Sequence, residues 1–406
     1  MTITRRTMLG AASAAALASP GRARAQGKPV IKIGVINDQS GPYRDITGLN
    51  GVACAKQAVQ EFNAGGFEVQ IVTADHQNKP DIGVSIARQW IDQDGVDLVL
   101  DGPSSAVALA LSSLCREKNK VFLTTAAATS DLTGKSCSPN TVQWVYDSYM
   151  EAKSTGGAMI KAGGDSWFFI TPNYAAGLAY QRDTTRLVEA AGGKVVGAHL
   201  YPFPESTDFS SPLIEAQSSG AKVLGIAGAG SDLINIVKQA REFGIPAKMK
   251  MAALVVFSTD IHAMGLEMAQ GLYMSETYYW DLNDRTRAFQ NRIKSKVTLW
   301  PNMAQAGNYS AALHYLKAVQ DMGPAAAKAD GVALVDRMKA IPTDDDCFGQ
   351  GKIRVDGRKM HPTYLFTTKT PAESRHEWDI YKLVATTPAD EAWRPLSEGG
   401  CAFVKT

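Results

Sequence analysis

The chain has 406 residues, too long for one ordinary core and long enough for two lobes of typical size. Its 42 basic and 40 acidic side chains leave a formal net charge of +2, so no strong field draws it to nucleic acid or an anionic membrane. The expected partner is a small molecule.

The amino terminus reads as an address rather than as fold. Arg5-Arg6 marks a twin-arginine start, a run of small apolar residues follows from Leu9, and Ala23-Arg24-Ala25 is an A-x-A cleavage triplet. Residues 1–25 are therefore expected to be a signal peptide, with a mature, periplasmic chain starting at Gln26. Later stretches fall short of the roughly 18 apolar residues that span a bilayer, so no membrane insertion is expected.

From Val30 short β-rich runs alternate with segments of helical period: "VIKIGVI", a helix over 50–62, "FEVQIVTAD", a helix over 81–93, "VDLVLD", a helix over 105–118 and "KVFLTT". After Trp144 the rhythm restarts with "SWFFIT", a helix over 176–190, "KVVGAHLYPF", a helix over 209–219, "KVLGIAGA", a helix over 232–243 and "KMKMAAL". Such alternation predicts an α/β fold of two doubly wound parallel-sheet lobes. Beyond Gly271 the pattern changes to three long helices, over 284–295, 303–321 and 331–341, then two strand-like runs, "PTYLFTTK" and "WDIYKLVAT".

The chemistry of catalysis is missing from this pattern. There is no G-x-S-x-G elbow, and the six histidines fit no triad or metal motif. "GIAGAGSDLI" carries Leu233 where the third glycine of a dinucleotide fingerprint would stand, and it is read as a tight turn into a helix capped by Ser231. Asp344-Asp345-Asp346 lacks a calcium-loop continuation and is read as a solvated turn. The five cysteines offer no zinc spacing; one or two disulfides are expected with at least one thiol left over, the connectivity stays open, and Cys54 is taken as a buried free thiol. Neither cofactor nor metal is expected.

What remains is a set of strand ends. Ser104 and Ser105 follow "VDLVLDGP", where hydroxyls and the unpaired amides of a helix start favour an anion. Ala127, Ala128 and Thr129 make a second corner after "VFLTTA", with small side chains that admit a ligand and a hydroxyl that donates. A third corner holds Tyr43 and Arg44, the latter able to grip a carboxylate or to pair with Asp45 at the surface. In the second lobe Tyr174 and Phe257 stand at strand-to-helix corners, where an aromatic ring can cover a ligand.

Taken in order, "IKIGVINDQSGPY", "GPSSA", "TTAAATSDLTG", "TPNYAAG" and "KQAREFGI" resemble the leucine/isoleucine/valine-binding-protein family, the extracytoplasmic solute-binding components of ABC importers. The resemblance implies two lobes joined by a three-crossover hinge, a ligand buried between them, and a membrane permease as the downstream partner of a monomeric protein. It assigns the ligand carboxylate to Ser104 and Ser105, with Ala127, Ala128 and Thr129 beside them, Tyr43 and Arg44 over the cleft, and Tyr174 as the second-lobe lid. Lobe 1 is expected to comprise 26–146 and 278–359, lobe 2 to comprise 147–277 and 360–406. One departure bears on the ligand: where amino-acid binders of that family carry an acid for the ammonium group, this chain reads Val255-Val256-Phe257-Ser258, with no acid before Asp260. The expected ligand is accordingly an aromatic or short organic acid. A branched-chain amino acid or amide is the alternative within the class, and a sensor subunit or an enzyme on the same fold is the alternative outside it.

Overall fold

The computed structural model describes residues 27–405, so the expected signal peptide and its cleavage triplet lie outside the described residues. In the first lobe β1 (Val30–Asn37), β2 (Glu68–Asp75), β3 (Leu98–Asp101), β4 (Val121–Thr124) and β5 (Thr141–Gln143) form a parallel sheet in the order β2-β1-β3-β4-β5. They are linked by α1 (Gly48–Glu61), α2 (Pro80–Gln89) and α3 (Ser105–Glu117). Period-two alternation decides the layering: Ile33, Val35 and Leu100 face one core with α1, while Ile36, Val99 and Phe122 face another with Ala87 of α2 and Leu111 of α3. Gly34 must be small, since a Cβ there would lie 2.5 Å from the ring of Trp90.

The chain then crosses to the second lobe through α4 (Ser148–Glu151), a π-helical turn and α5 (Gly157–Lys161). There β6 (Ser166–Pro172), α6 (Ala175–Ala190), β7 (Lys194–Tyr201), α7 (Ser210–Ser218), β8 (Val223–Ile226), α8 (Ser231–Glu242), β9 (Lys250–Ala253), α9 (Ser258–Met264), α10 (Leu266–Ala269) and β10 (Tyr273–Glu276) follow in turn. A second crossing leads to α11 (Asp284–Ile293), α12 (Met303–Met322), α13 (Pro324–Ala329) and α14 (Gly331–Ala340), of which α11 and α12 pack on α1. A small antiparallel sheet of β11 (Thr343–Asp345), β12 (Gly349–Ile353) and β13 (Lys359–Met360) ends this excursion. The third crossing delivers β14 (Thr363–Thr368) and β15 (Tyr381–Thr387) to the second sheet, whose order is β15-β14-β10-β9-β8-β6-β7. That sheet is parallel from β7 to β10 and antiparallel where β14 and β15 join. The fold is the two-lobed, three-crossover α/β architecture.

Crossings one and three are tied together by a buried ion pair. Arg358 Nη1 donates to Asp147 Oδ2 at 3.2 Å, and the guanidinium lies 4.4 Å from the ring centre of Trp393. Cys137 and Cys401 form a disulfide that fastens the carboxyl-terminal tail to the first lobe, while Cys54, Cys115 and Cys347 are buried free thiols.

Two local readings are corrected. The acidic triplet is not a solvated turn: Asp345 is buried in β11 and accepts bonds from Ser310 Oγ and from the amides of Cys347 and Phe348, while Asp344 and Asp346 pair with Arg285. The sequence pattern is the same, but α12 packs over it and turns the middle carboxylate inward. At the start of α8 the N-cap is Gly230, at φ +59°, rather than Ser231, because the turn needs a left-handed residue one position earlier.

Candidate functional site

The corner after β3 is twisted by two consecutive residues with positive φ, Asp101 at 90° and Gly102 at 68°. An aspartate in that conformation is strained and needs outside support. It receives three bonds, from Thr125 Oγ1 at 2.9 Å, Asn308 Nδ2 at 2.9 Å and Asn37 Nδ2 at 3.1 Å. Burial pushes its carboxyl up to about 6, against these bonds. Asp101 thus ties the ends of β1, β3 and β4 to α12 and fixes which residues of the corner look into the cleft.

Between the lobes is a small cavity of about 20 Å³. The first lobe and first crossing line it with Tyr43, Ile46, Pro103, Ala126, Ala128 and Tyr146. The second lobe lines it with Tyr174, Ala176, Tyr180, Ala229, Val255 and Phe257. Tyr43 and Tyr174 close it, their hydroxyls hydrogen-bonded to each other across the cleft. Phe203 stacks on both rings, at 5.6 Å from Tyr43 and 4.7 Å from Tyr174. The space holds about one water and is far below the roughly 300 Å³ at which small-molecule sites begin. Outside it a groove of about 270 Å³ runs between the lobes past Arg44, Asp45, Ser231, Thr259, Asp260 and His262.

Of the nine residues expected at the site, the structure brings four together in the cavity wall: Tyr43, Ala128, Tyr174 and Phe257. The other five stand elsewhere. Arg44 borders the outer groove, where it is largely exposed and lies 3.6 Å from Asp45. Ser104 caps α3 with extended backbone and Ser105 Oγ accepts the amide of Thr129 at 3.1 Å, so Pro103 and not either serine faces the cavity. Thr129 accepts the Asp131 amide, and Ala127 packs into the core on the far side of the sheet with Trp90 and Leu111. Sequence reasoning missed Pro103, Tyr146, Tyr180, Val255 and the stacking Phe203. For Tyr180 a signal existed, since it follows Ala176 by one helical turn along α6.

No charged side chain lines the small cavity among the described residues. Of the acids near it, Glu151 stands behind Tyr146 and Tyr180 with no hydrogen-bond partner, while Asp260 and Asp232 are engaged. Asp260 Oδ2 accepts the Phe257 amide at 3.0 Å at the start of α9, and burial raises its carboxyl to about 7. Asp232 accepts from Tyr201 Oη at 2.9 Å, and burial raises it to about 6. By contrast the starts of α3, α6 and α8, with Ser104, Tyr174 and Gly230 as N-caps, receive no side-chain capping bond. The cavity-lining Pro103, Ala176 and Ala229 belong to these helix starts, whose free amides favour negative charge. Among the described residues no cluster of acids, histidines and cysteines could hold a metal, and no helix is long and apolar enough to cross a membrane.

Residues 30–374 match the family model described as periplasmic binding protein. The chain belongs to that family. A periplasmic binding protein from Burkholderia mallei is 43% identical to it, with a TM-score of 0.89 over 93% of this chain and 99% of the other. A branched-chain amino acid ABC transporter periplasmic ligand-binding protein from Burkholderia xenovorans is 38% identical, with a TM-score of 0.82 over 92% of this chain and 99% of the other. Leu/Ile/Val-binding protein homolog 4 of Brucella melitensis is 25% identical over 304 residues, 72% of each chain. A solute-binding protein from R. palustris in complex with benzoate shares the fold at 21% identity, with a TM-score of 0.80 over 92% of this chain and 99% of the other. The family and these neighbours are solute-binding proteins, not enzymes.

Proposed function

We propose that this protein captures a small organic acid, aromatic or short aliphatic, in the periplasm and hands it, as a monomer, to the permease of an ABC importer. The observation that carries the reading is a cavity walled by aromatic rings, free of charged side chains and bordered by three uncapped helix starts. Such a wall favours a carboxylate through backbone amides, whereas an ammonium buried there without an acid would be costly. Ligand contacts are assigned to Tyr43, Ala128, Tyr174 and Phe257 in the closed form. Entry requires the lobes, 26–146 with 278–359 and 147–277 with 360–406, to part about the crossings, because the closed space is too small for any such acid. Export by the twin-arginine route, with cleavage before Gln26, is part of the proposal.

Calorimetry against benzoates, short oxo- and hydroxy-acids and branched-chain amino acids tests it, together with mass spectrometry of whatever the denatured protein releases. Tight binding of an acid with no binding of leucine or valine supports the reading. A branched-chain amino acid ligand is the second reading, favoured by the description of the 38% identical protein. Tight binding of leucine while its deaminated analogue fails would establish it. Intact mass of the exported protein tests the cleavage site.

A further inference from the structure

Native structures pair the great majority of their buried polar side-chain atoms, so a group of unpaired ones beside a binding cavity is informative. Three of the four tyrosine hydroxyls around the cavity are engaged: Tyr43 and Tyr174 with each other, and Tyr146 as donor to the Ala126 carbonyl at 2.7 Å. The fourth, Tyr180, is 1% exposed; its hydroxyl approaches that of Tyr146, whose proton goes to the Ala126 carbonyl, and it makes no hydrogen bond of good geometry. Glu151, at the end of α4, is equally buried, and neither of its carboxylate oxygens has a partner. α4 packs against α6, and the Glu151 carboxyl is close enough to Tyr180 and Tyr146 to act on the ionisation of both hydroxyls. Thr184, one turn beyond Tyr180 on α6, has an unpartnered hydroxyl as well.

The charged groups that act on Glu151 are acids, Glu276 and Asp147, of which Asp147 is already paired with Arg358. Burial, with Glu276 and Asp147 nearby, holds the Glu151 carboxyl well above the usual carboxylate range. A second ionised carboxylate from a ligand would meet the Glu151 carboxyl and no unpaired cation, since Arg358 is engaged by Asp147, whereas a neutral hydroxyl could both donate to and accept from the Tyr180 hydroxyl.

We propose that Tyr180, backed by Glu151, is the specificity-determining residue of the cavity, hydrogen-bonding an uncharged hydroxyl of the ligand. The preferred ligand is then a hydroxylated aromatic monocarboxylate rather than the bare acid or a dicarboxylate. The inference rests on the small-acid reading above and narrows it.

The test is calorimetry on the mature wild-type chain, Tyr180→Phe and Glu151→Gln with benzoate, 3-hydroxybenzoate, 4-hydroxybenzoate and phthalate. Wild type should bind at least one hydroxybenzoate about tenfold more tightly than benzoate, the worth of one good hydrogen bond, and phthalate more weakly than benzoate. Tyr180→Phe should abolish the tenfold preference by weakening hydroxybenzoate about tenfold more than benzoate, and should leave the thermal stability of the ligand-free protein undiminished. Glu151→Gln should reduce the preference without removing it. Equal binding of benzoate and both hydroxybenzoates by wild type, an equal loss for all acids in Tyr180→Phe, or a destabilised ligand-free Tyr180→Phe overturns the inference while the small-acid reading stands. Binding of leucine but of no carboxylic acid overturns both.

Discussion

Tyr43 and Tyr174, 131 residues apart, bring their hydroxyls together across the cleft and share Phe203 as a stacking partner. This three-ring clasp is the contact that shuts the cavity. Aromatic pairs contribute about 0.5–1.5 kcal/mol beyond their buried area. Replacing Phe203 by Ala should therefore shift the ligand-free protein toward the open form. Small-angle scattering should show a larger radius of gyration for the variant without ligand and the same radius as wild type at saturation. Identical ligand-free curves would show that the clasp does not hold the lobes.

Ser105 was expected to hold the ligand, but its hydroxyl oxygen accepts the buried Thr129 amide. Ser105→Ala strands that amide, and a buried donor without a partner costs about 1–3 kcal/mol. Urea denaturation should show a loss of that size in the ligand-free protein. A variant as stable as wild type that binds ligand far more weakly would return the serine to the role of carboxylate seat.

Arg358 is completely buried against Asp147 where two crossings meet. Removing one partner of a buried pair leaves an uncompensated charge and costs about 3–5 kcal/mol. Asp147 also caps α4 through Oδ1, which accepts the Met150 amide at 2.8 Å, so Asp147→Asn keeps the cap and removes the charge. Chemical denaturation of Asp147→Asn should show most of the destabilisation seen for Asp147→Ala. If only the alanine variant is weakened, the cap and not the ion pair is what matters.

Burial raises Glu276 from its ordinary value of 4.5 to about 8, although Tyr381 Oη donates to it at 2.6 Å. The folded state therefore binds this proton more tightly than the unfolded chain. The stability it contributes is complete below pH 4.5 and is lost as pH rises toward 8. Glu276→Gln, which mimics the protonated form, should lose less stability than wild type between pH 5 and pH 8 in thermal unfolding. Parallel curves for the two proteins would mean that Glu276 is ionised in the fold.

The Cys137–Cys401 disulfide closes a loop of 264 residues and pins a tail with little regular structure. Removing a native disulfide costs about 2–5 kcal/mol, with the larger values for longer loops. Cys137→Ser paired with Cys401→Ser should melt at a lower temperature, and limited proteolysis should clip the tail beyond Thr387 first. An unchanged melting temperature would show that the packing of Trp393 suffices to hold the tail.

Much of this molecule was legible in the amino-acid order because the responsible signals are local. Strand and helix period placed the alternating strands and helices of both lobes, with shifts such as α1 starting at Gly48 rather than at residue 50, but not β5, the crossing helices α4 and α5, the short α10 and α13, or the small sheet of β11 to β13. The strand-to-helix corners singled out Tyr43, Ala128, Tyr174 and Phe257. Tertiary structure decided the rest, through contacts that no window of sequence contains. Which way the "DGPSS" corner turns depends on Asp101, held at positive φ by Asn37, Thr125 and Asn308, and that rotation gives the cavity Pro103 in place of two serines. The pairing of Cys137 with Cys401, the arrival of Phe203 between two tyrosines, and the unpaired Tyr180 and Glu151 also depend on which elements pack together. A side chain's face follows from its neighbours in the chain, but its burial, its protonation and its partners follow from distant segments that only the folded packing brings within a few ångströms.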